Sequence, residues 1–413
     1  MARTPWYNPD RENEENGAFA PDSARPPQDG CEGLGRGSQG KGCANNGEAI
    51  WEKEKEELAA MPWAEPAYSR TQINKSGKAL IDPAATADEI QFAEAVINNW
   101  RSAHGLPLLW LSMDLRRLAA KVDDHRIVAQ RIKRLASIKL KLSTQGHMDM
   151  ARMQDIAGCR AIVKSTKDVK RLAKLFQGSR MHHTLYDTDD YLKHPKPSGY
   201  QAIHLKYKYQ SERYVKHCGL SIEVQLRSQL QHTWATAVEM VGLFTEQALK
   251  SSLGDSDWLR FFALMGAVTA KMEKGVPVPN TPTSLKDLTD ELRAYEAKLS
   301  ALTLLRGYGT AVRLTVPAAK KTGHPFFLLT VDANTKNLTW QSFGKDQSTQ
   351  AATAYLAAER KIEGKPGMQT VLVSVERIKT LQRAYPSYFL DTTAFDKLVT
   401  DALNPSARRL RAG

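Results

Sequence analysis

The stretch DIAGCRAIVK, residues 155–164, changes the grammar of the chain. It is an apolar run carrying β-branched residues, suited to a central strand, and it follows a segment in which apolar residues recur with helical spacing. Upstream, ADEIQFAEAVINNWRSAHG (87–105) places Ile90, Phe92, Ala95, Val96 and Trp100 mainly on one stripe, with Gly105 as a stop. LLWLSMDLRRLAAKV (108–122) reads as a second helix and DDHRIVAQRIKRLASIKLKL (123–142) as a third. Downstream, TKDVKRLAKLFQ (166–177) is again helical, AIHLKYKYQ (202–210) alternates with period two, and LSIEVQLRS (220–228) is a further strand. Helices follow over 229–244, near 256–274 and over 283–301. Helices first, then strands alternating with helices, predict an α/β domain over 70–303, with the direction of strand pairing left open.

The ends read differently. Residues 1–60 are rich in Gly, Asn, Pro and Glu and close on the charged run WEKEKEELAA, which predicts a mostly disordered leader with one short helix. Beyond 305, AVRLTV (311–316), PFFLLTVDANTKNLTWQSF (325–343) and TVLVSVERI (370–378) read as strands. DANTKN is a hairpin turn, and STQAATAYLAAERKIEG (348–364) a helix ended by glycine. The expectation is a smaller C-terminal α+β domain over 305–405.

Of 413 residues, 42% are hydrophobic, ordinary for a globular protein, and four cysteines are too few and scattered for a disulfide framework. No window approaches a membrane span, and the first residues lack an apolar signal segment, so a cytoplasmic location is expected. The net charge of +13 is unevenly spread: residues 1–60 carry 7 Lys/Arg against 12 Asp/Glu, residues 121–210 carry 19 against 8. A basic middle favours polyanions, whether nucleotides or nucleic acid.

Four clusters there can carry chemistry. RIKRLASIKLK (131–141) gathers Arg131, Lys133, Lys139, Lys141 and the Ser137 hydroxyl with no carboxylate between Asp124 and Asp149, so unpaired cations would welcome a polyphosphate. Asp155 stands just before the DIAGCRAIVK strand, where a carboxylate can hold a hard cation, although a strand-edge Asp is commonly a turn residue. In LSIEVQLRSQLQHTWA (220–235), alternation sets Ser221, Glu223, Gln225 and Arg227 on one face, either site lining or a solvent face. In DDYLKHPKPSGYQAIH (189–204), a proline-stiffened turn presents Tyr200 after Gly199, with Lys193 and Lys196 nearby, a surface for stacking a base.

In this order the four clusters resemble the synthetase domain of the RelA/SpoT family, the alarmone synthetases, over roughly 120–240. The resemblance implies a nucleotidyltransferase-like mixed sheet flanked by helices. It implies transfer of pyrophosphate from ATP to a ribose 3′-hydroxyl, in most members that of GDP or GTP, making (p)ppGpp. Carried over by position, Arg131, Lys133, Ser137 and Lys141 would hold the ATP phosphates, and Asp155 would bind Mg²⁺. Glu223 would sit opposite, ligating the metal or helping to deprotonate the attacking hydroxyl. Tyr200 would stack on the acceptor base, with Lys196, Ser198, His204 and Gln225 completing that pocket. Two departures bear on the acceptor: Asp189 stands where many members carry a basic residue, and Gln201 where they carry Arg. Small toxic relatives use the 3′ end of tRNA instead, and a non-catalytic RNA-binding or regulatory module is a further alternative. No metal-dependent hydrolase domain is recognised ahead of the synthetase. The segment from about 305 matches no ribosome-associated regulatory module, and a homo-oligomer, and a regulatory ligand or protein at the C-terminal domain, are further expectations.

Overall fold

In the computed structural model the described residues are 63–179, 181–244, 249, 255–306, 326–332, 335, 337–343, 347–365, 368–374 and 392–404. The expected leader, its helix and the AVRLTV strand lie outside them. Three helices come first: α1 (Arg70–Ala79), α2 (Ala87–Ala103) and α3 (Gly105–Ala120). Thr86 caps α2 in a reciprocal box with Glu89, which satisfies two backbone N–H groups that the first turn leaves open. Gly105 is not a stop but the first residue of α3, the turn being made at His104. The stripe α2 buries is Ala93, Val96, Ile97 and Trp100, while Phe92 is 51% exposed.

The predicted third helix is divided. Residues 127–132 form strand β1 (Ile127–Ile132), and only Leu135–Thr144 is helical, as α4. The β-branched Ile127, Val128 and Ile132 suit a pleated surface, and pairing with the next strand supplies the ladder that decides the matter. Then follow β2 (Ala157–Val163), α5 (Thr166–Gln177), β3 (Thr184–Asp190), β4 (Ile203–Lys208), β5 (Ser221–Ser228), α6 (Gln229–Phe244), α7 (Ser256–Met272) and α8 (Leu285–Leu299). Strand β3, TLYDTDD, is not foreseen because its polar composition conceals it; its burial is slight, as befits an edge.

The C-terminal region adds β6 (Phe326–Asp332), β7 (Asn337–Phe343), α9 (Ser348–Ile362), β8 (Met368–Ser374) and α10 (Thr393–Leu403). All eight strands form one mixed sheet, ordered β3-β4-β5-β2-β1-β8-β6-β7. Only β2 and β5 run parallel; the other neighbours are antiparallel. Among the described residues, the β1–β8 junction shows one registered pair, Gln130 with Ser374.

One face of the five N-terminal strands packs Cys159, Ala161, Leu205, Tyr207, Ile222, Val224 and Leu226 against α3 and α5. A second core joins α1, α2 and α4, and a third joins α6, α7, α8 and α10. The C-terminal strands and α9 have a small core of their own around Leu328, Phe343, Ala351, Tyr355 and Leu372. No described helix is long and apolar enough to cross a membrane.

Candidate functional site

Strand register brings the distant clusters together. One cross-strand row reads Arg131, Gly158, Glu223, Lys206, Asp187, and the next reads Ala129, Arg160, Gln225, His204, Asp189. Residues directly opposite in a ladder share a face, so these rows gather the polar side chains on the side away from the α3 and α5 core. On that face Glu223 is 8% and Arg227 3% accessible, while Asp187 at the β3 edge is exposed. Gly158 is needed beside Glu223, since a Cβ there would come within 3.1 Å of the Glu223 carbonyl oxygen.

On the donor side, Asp155 accepts from Lys133 Nζ at 2.7 Å and from Lys141 Nζ at 2.9 Å, one lysine on each carboxylate oxygen. Burial pushes the Asp155 carboxyl up, but the two ammonium groups more than offset it and hold it well below the usual range. Burial likewise lowers Lys133, partly countered by Asp155. The cations of the 131–141 run are therefore not unpaired. Chain folding returns carboxylates to them: Asp155 to Lys133 and Lys141, and Glu363 and Glu94 to Lys139 at 2.5 and 3.8 Å. Ser137 lies half-buried in the first turn of α4.

On the acceptor side, five side chains close a ring of hydrogen bonds. Arg227 donates to the Tyr200 hydroxyl (2.7 Å) and to Gln225 Oε1 (3.1 Å); Gln225 donates to Glu223 Oε2 (2.5 Å). His204 joins the remaining ends, Nε2 to the Tyr200 hydroxyl at 2.6 Å and Nδ1 to Glu223 Oε1 at 2.9 Å. Glu223 as a carboxylate can only accept, so His204 Nδ1–H donates to it, and the Tyr200 hydroxyl oxygen accepts from Arg227. Burial raises the Glu223 carboxyl, yet His204 and Gln225 more than compensate and hold it at about 2, against an opposing push from the Asp155 charge.

Tyr200 differs from the exposed platform expected of it. Its ring is half-buried, edge-on to Tyr191 at 5.6 Å and to His204 at 5.7 Å, with Arg227 5.1 Å and Lys196 5.7 Å from its centroid. Lys196 sits nearer Tyr191, at 4.5 Å, and Ser198 is half-buried in the same turn. Gly199 (φ 89°) allows the turn to press on α7: a Cβ there would lie 2.9 Å from Phe262 O and 3.0 Å from Gly266 Cα. Gln201, the departure from the family pattern, donates to Gly266 O at 2.9 Å and is buried, so it fastens the turn to α7. Asp189 accepts from Lys206 at 2.9 Å, with Asp187 on the same ammonium at 2.7 Å. The single Lys206 ammonium is thus shared by two carboxylates, and a net negative charge remains at this edge of the sheet.

Sequence reasoning gave no role to Arg227 beyond lining, and none to Tyr191 or Gly266. Alternation on β5 pointed at Arg227; nothing local marks Gly266. Among the described residues no group of three or more His, Cys, Asp or Glu could hold a metal by itself. Two ionised carboxylates, Asp155 just ahead of β2 and Glu223 on β5, with the charge of the first felt by the second, fit Mg²⁺, which commonly takes one or two carboxylates and completes its shell with phosphate oxygens and water.

Part of this chain is similar to known proteins. Residues 130–243 match the region found in RelA / SpoT proteins. GTP pyrophosphokinase YjbM of Bacillus subtilis (strain 168) is 31% identical over 127 residues, 30% of this chain and 60% of that protein, so this chain spans well under two thirds of that relative's length. Among solved structures, small alarmone synthetase 1 from Bacillus subtilis, bound to its product pppGpp, is 22% identical with a TM-score of 0.37, covering 45% of this chain and 93% of that one. A GTP pyrophosphokinase family protein from Streptococcus pneumoniae is 19% identical with a TM-score of 0.35, covering 46% and 91%. Residues 130–243 of this chain are therefore a region of the RelA/SpoT type.

Proposed function

We propose that the chain transfers pyrophosphate from ATP to the 3′-hydroxyl of GDP or GTP. The observation that carries this reading is two differently held carboxylates near enough for the Asp155 charge to act on Glu223, Asp155 between two lysines and Glu223 inside a hydrogen-bonded ring. In the reaction the ribose 3′-oxygen attacks the β-phosphorus, the bond from that phosphorus to the α,β-bridging oxygen breaks, and AMP leaves. The hydroxyl proton passes to Glu223, whose low proton affinity makes it an acceptor chiefly once the hydroxyl is acidified in the transition state. Lys133 and Lys141, held on Asp155, lie where charge grows on the phosphate oxygens and stabilise it without large rearrangement. Arg131 and Ser137 complete the donor cradle. Tyr200, Lys196, Ser198, His204 and Gln225 orient the acceptor so that its hydroxyl is in line. Mg²⁺, held by Asp155 and Glu223, would supply charge neutralisation on the phosphates.

The RelA/SpoT match and the pyrophosphokinase relative support this reading. The GTP pyrophosphokinase relative favours a guanine nucleotide acceptor over the tRNA end. Incubation of the full chain with labelled ATP, Mg²⁺ and separately GDP, GTP, ATP or bulk tRNA, followed by mass spectrometry, tests it. Labelled guanosine tetra- or pentaphosphate is expected; label appearing only on tRNA, or nowhere, overturns it.

A further inference from the structure

The start of α4 holds a carboxylate that comes from 224 residues away. Arg134, at the N-cap position, makes no side-chain cap, so the first-turn N–H groups, which carry partial positive charge, look outward for a partner. Glu359 of α9 supplies it, accepting from Leu135 N at 2.9 Å. The same carboxylate meets the Arg101 guanidinium at 3.1 and 3.3 Å, in a site where the two side chains are 4% and 10% exposed. Arg101 also donates to the Lys133 carbonyl at 3.0 Å, so it is built into the turn that carries the donor-side lysine. One turn further along α9, Glu363 binds Lys139, and Gln369 accepts from Arg134 at 2.9 Å.

Every cation or donor met here by the C-terminal region lies in, or is bonded to, the 131–141 run. The C-terminal strands and α9 keep their own apolar core. Where described, the contacts from α9 and β8 to the 101–139 region are polar, and a polar junction separates at lower cost than an apolar interface.

We infer that Arg101, the Leu135 N–H and Lys139 form an anion subsite for the phosphate chain of the donor nucleotide, and that Glu359 and Glu363 occupy it as built-in competitors. The inference rests on the reading of the 131–141 run as the ATP-phosphate cradle. ATP binding and seating of α9 are then mutually exclusive at this subsite, so the C-terminal region restrains donor binding.

The test uses the full chain, with calorimetric binding of ATP and Mg²⁺, and of inorganic tripolyphosphate, to wild type, E359Q and E363Q. Hydrogen–deuterium exchange over 348–363 is followed with and without ATP. Loss of one charge-assisted contact is expected to tighten ATP binding about tenfold in E359Q, and about threefold in E363Q, whose partner is more exposed. ATP is expected to accelerate exchange over 348–363 in wild type. Unchanged affinity in E363Q together with unchanged exchange at saturating ATP overturns the inference, as does weaker binding in a folded E359Q. Should E359Q misfold because Arg101 loses its partner, E363Q and the wild-type exchange decide. Wild type that transfers pyrophosphate while showing no competition removes this inference alone; failure of every variant to bind ATP removes the donor reading with it.

Discussion

Asp155, half-buried just ahead of β2, and Glu223, buried on β5, are both carboxylates kept ionised, yet their surroundings differ in kind. Asp155 is neutralised by two flexible ammonium groups whose charge can be shared with an incoming phosphate. Glu223 is held by directional bonds from an imidazole and an amide, themselves anchored by Tyr200 and Arg227. The first arrangement is adapted to binding a variable number of anionic oxygens. The second fixes one oxygen pair in one orientation, as proton transfer to a positioned group requires.

The sharpest way to break this contrast is Glu223→Gln. A glutamine there faces donors on both sides, so the ring cannot close, and turnover is expected to fall about a thousandfold, in the range of a lost general base. Lys141→Met, by contrast, is expected to act mainly on the ATP KM. Initial rates at varied ATP and acceptor separate the two; a Glu223→Gln enzyme with near wild-type kcat would end the distinction.

A buried histidine outside the site shows what a ring without a carboxylate does. His104 accepts no carboxylate contact; its Nδ1 meets Trp100 O at 2.7 Å, and burial, with Lys208 and His217 adding to it, lowers its pKa from 6.5 to about 4. A folded pKa below the unfolded one means the unfolded chain binds the extra proton first. Its contribution is therefore complete above pH 6.5 and is lost as pH falls toward 4, an effect of about 3 kcal/mol over that window. Urea midpoints measured across pH 4–7 for wild type and His104→Gln check this, with the slope expected to flatten in the variant.

Gly266→Ala tests whether α7 positions the acceptor turn. The added methyl would fall on the Gly199 backbone, which cannot move aside as a flexible side chain would. A stability loss of about 1–3 kcal/mol and a rise in acceptor KM are expected, with donor KM unchanged. Equal shifts in both KM values would show a general loosening instead. The smallest effect should come from Tyr200→Phe, which keeps the ring but deletes the hydroxyl joining Arg227 to His204. About a tenfold fall in kcat is expected, against a KM effect for Tyr200→Ala.

Much of this was legible before folding. Apolar periodicity located α2, α3, α5 and α6, the DIAGCRAIVK strand and the period-two strands, and the motif order marked Asp155, Glu223, Tyr200 and their companions. These features are local: a residue's spacing to its neighbours carries them. The misreadings share one cause. IVAQRI was taken as helix because a short apolar segment is compatible with either period, and only the antiparallel partner β2 settles it. The lysines of the 131–141 run looked unpaired because Asp155, Glu94 and Glu363 are distant in sequence.

Residue type and order by themselves marked the groups able to do such chemistry, since a carboxylate, an ammonium or an aromatic ring carries its properties wherever it is placed. Tertiary structure alone decided their company. The register that sets Glu223 beside Gly158, the ring through Arg227, the clasp of Gly199 on Gly266 and the reach of Glu359 to α4 all join segments far apart along the chain. Hydrogen bonds and ion pairs act over a few ångströms of space, and spacing along a sequence does not encode that distance.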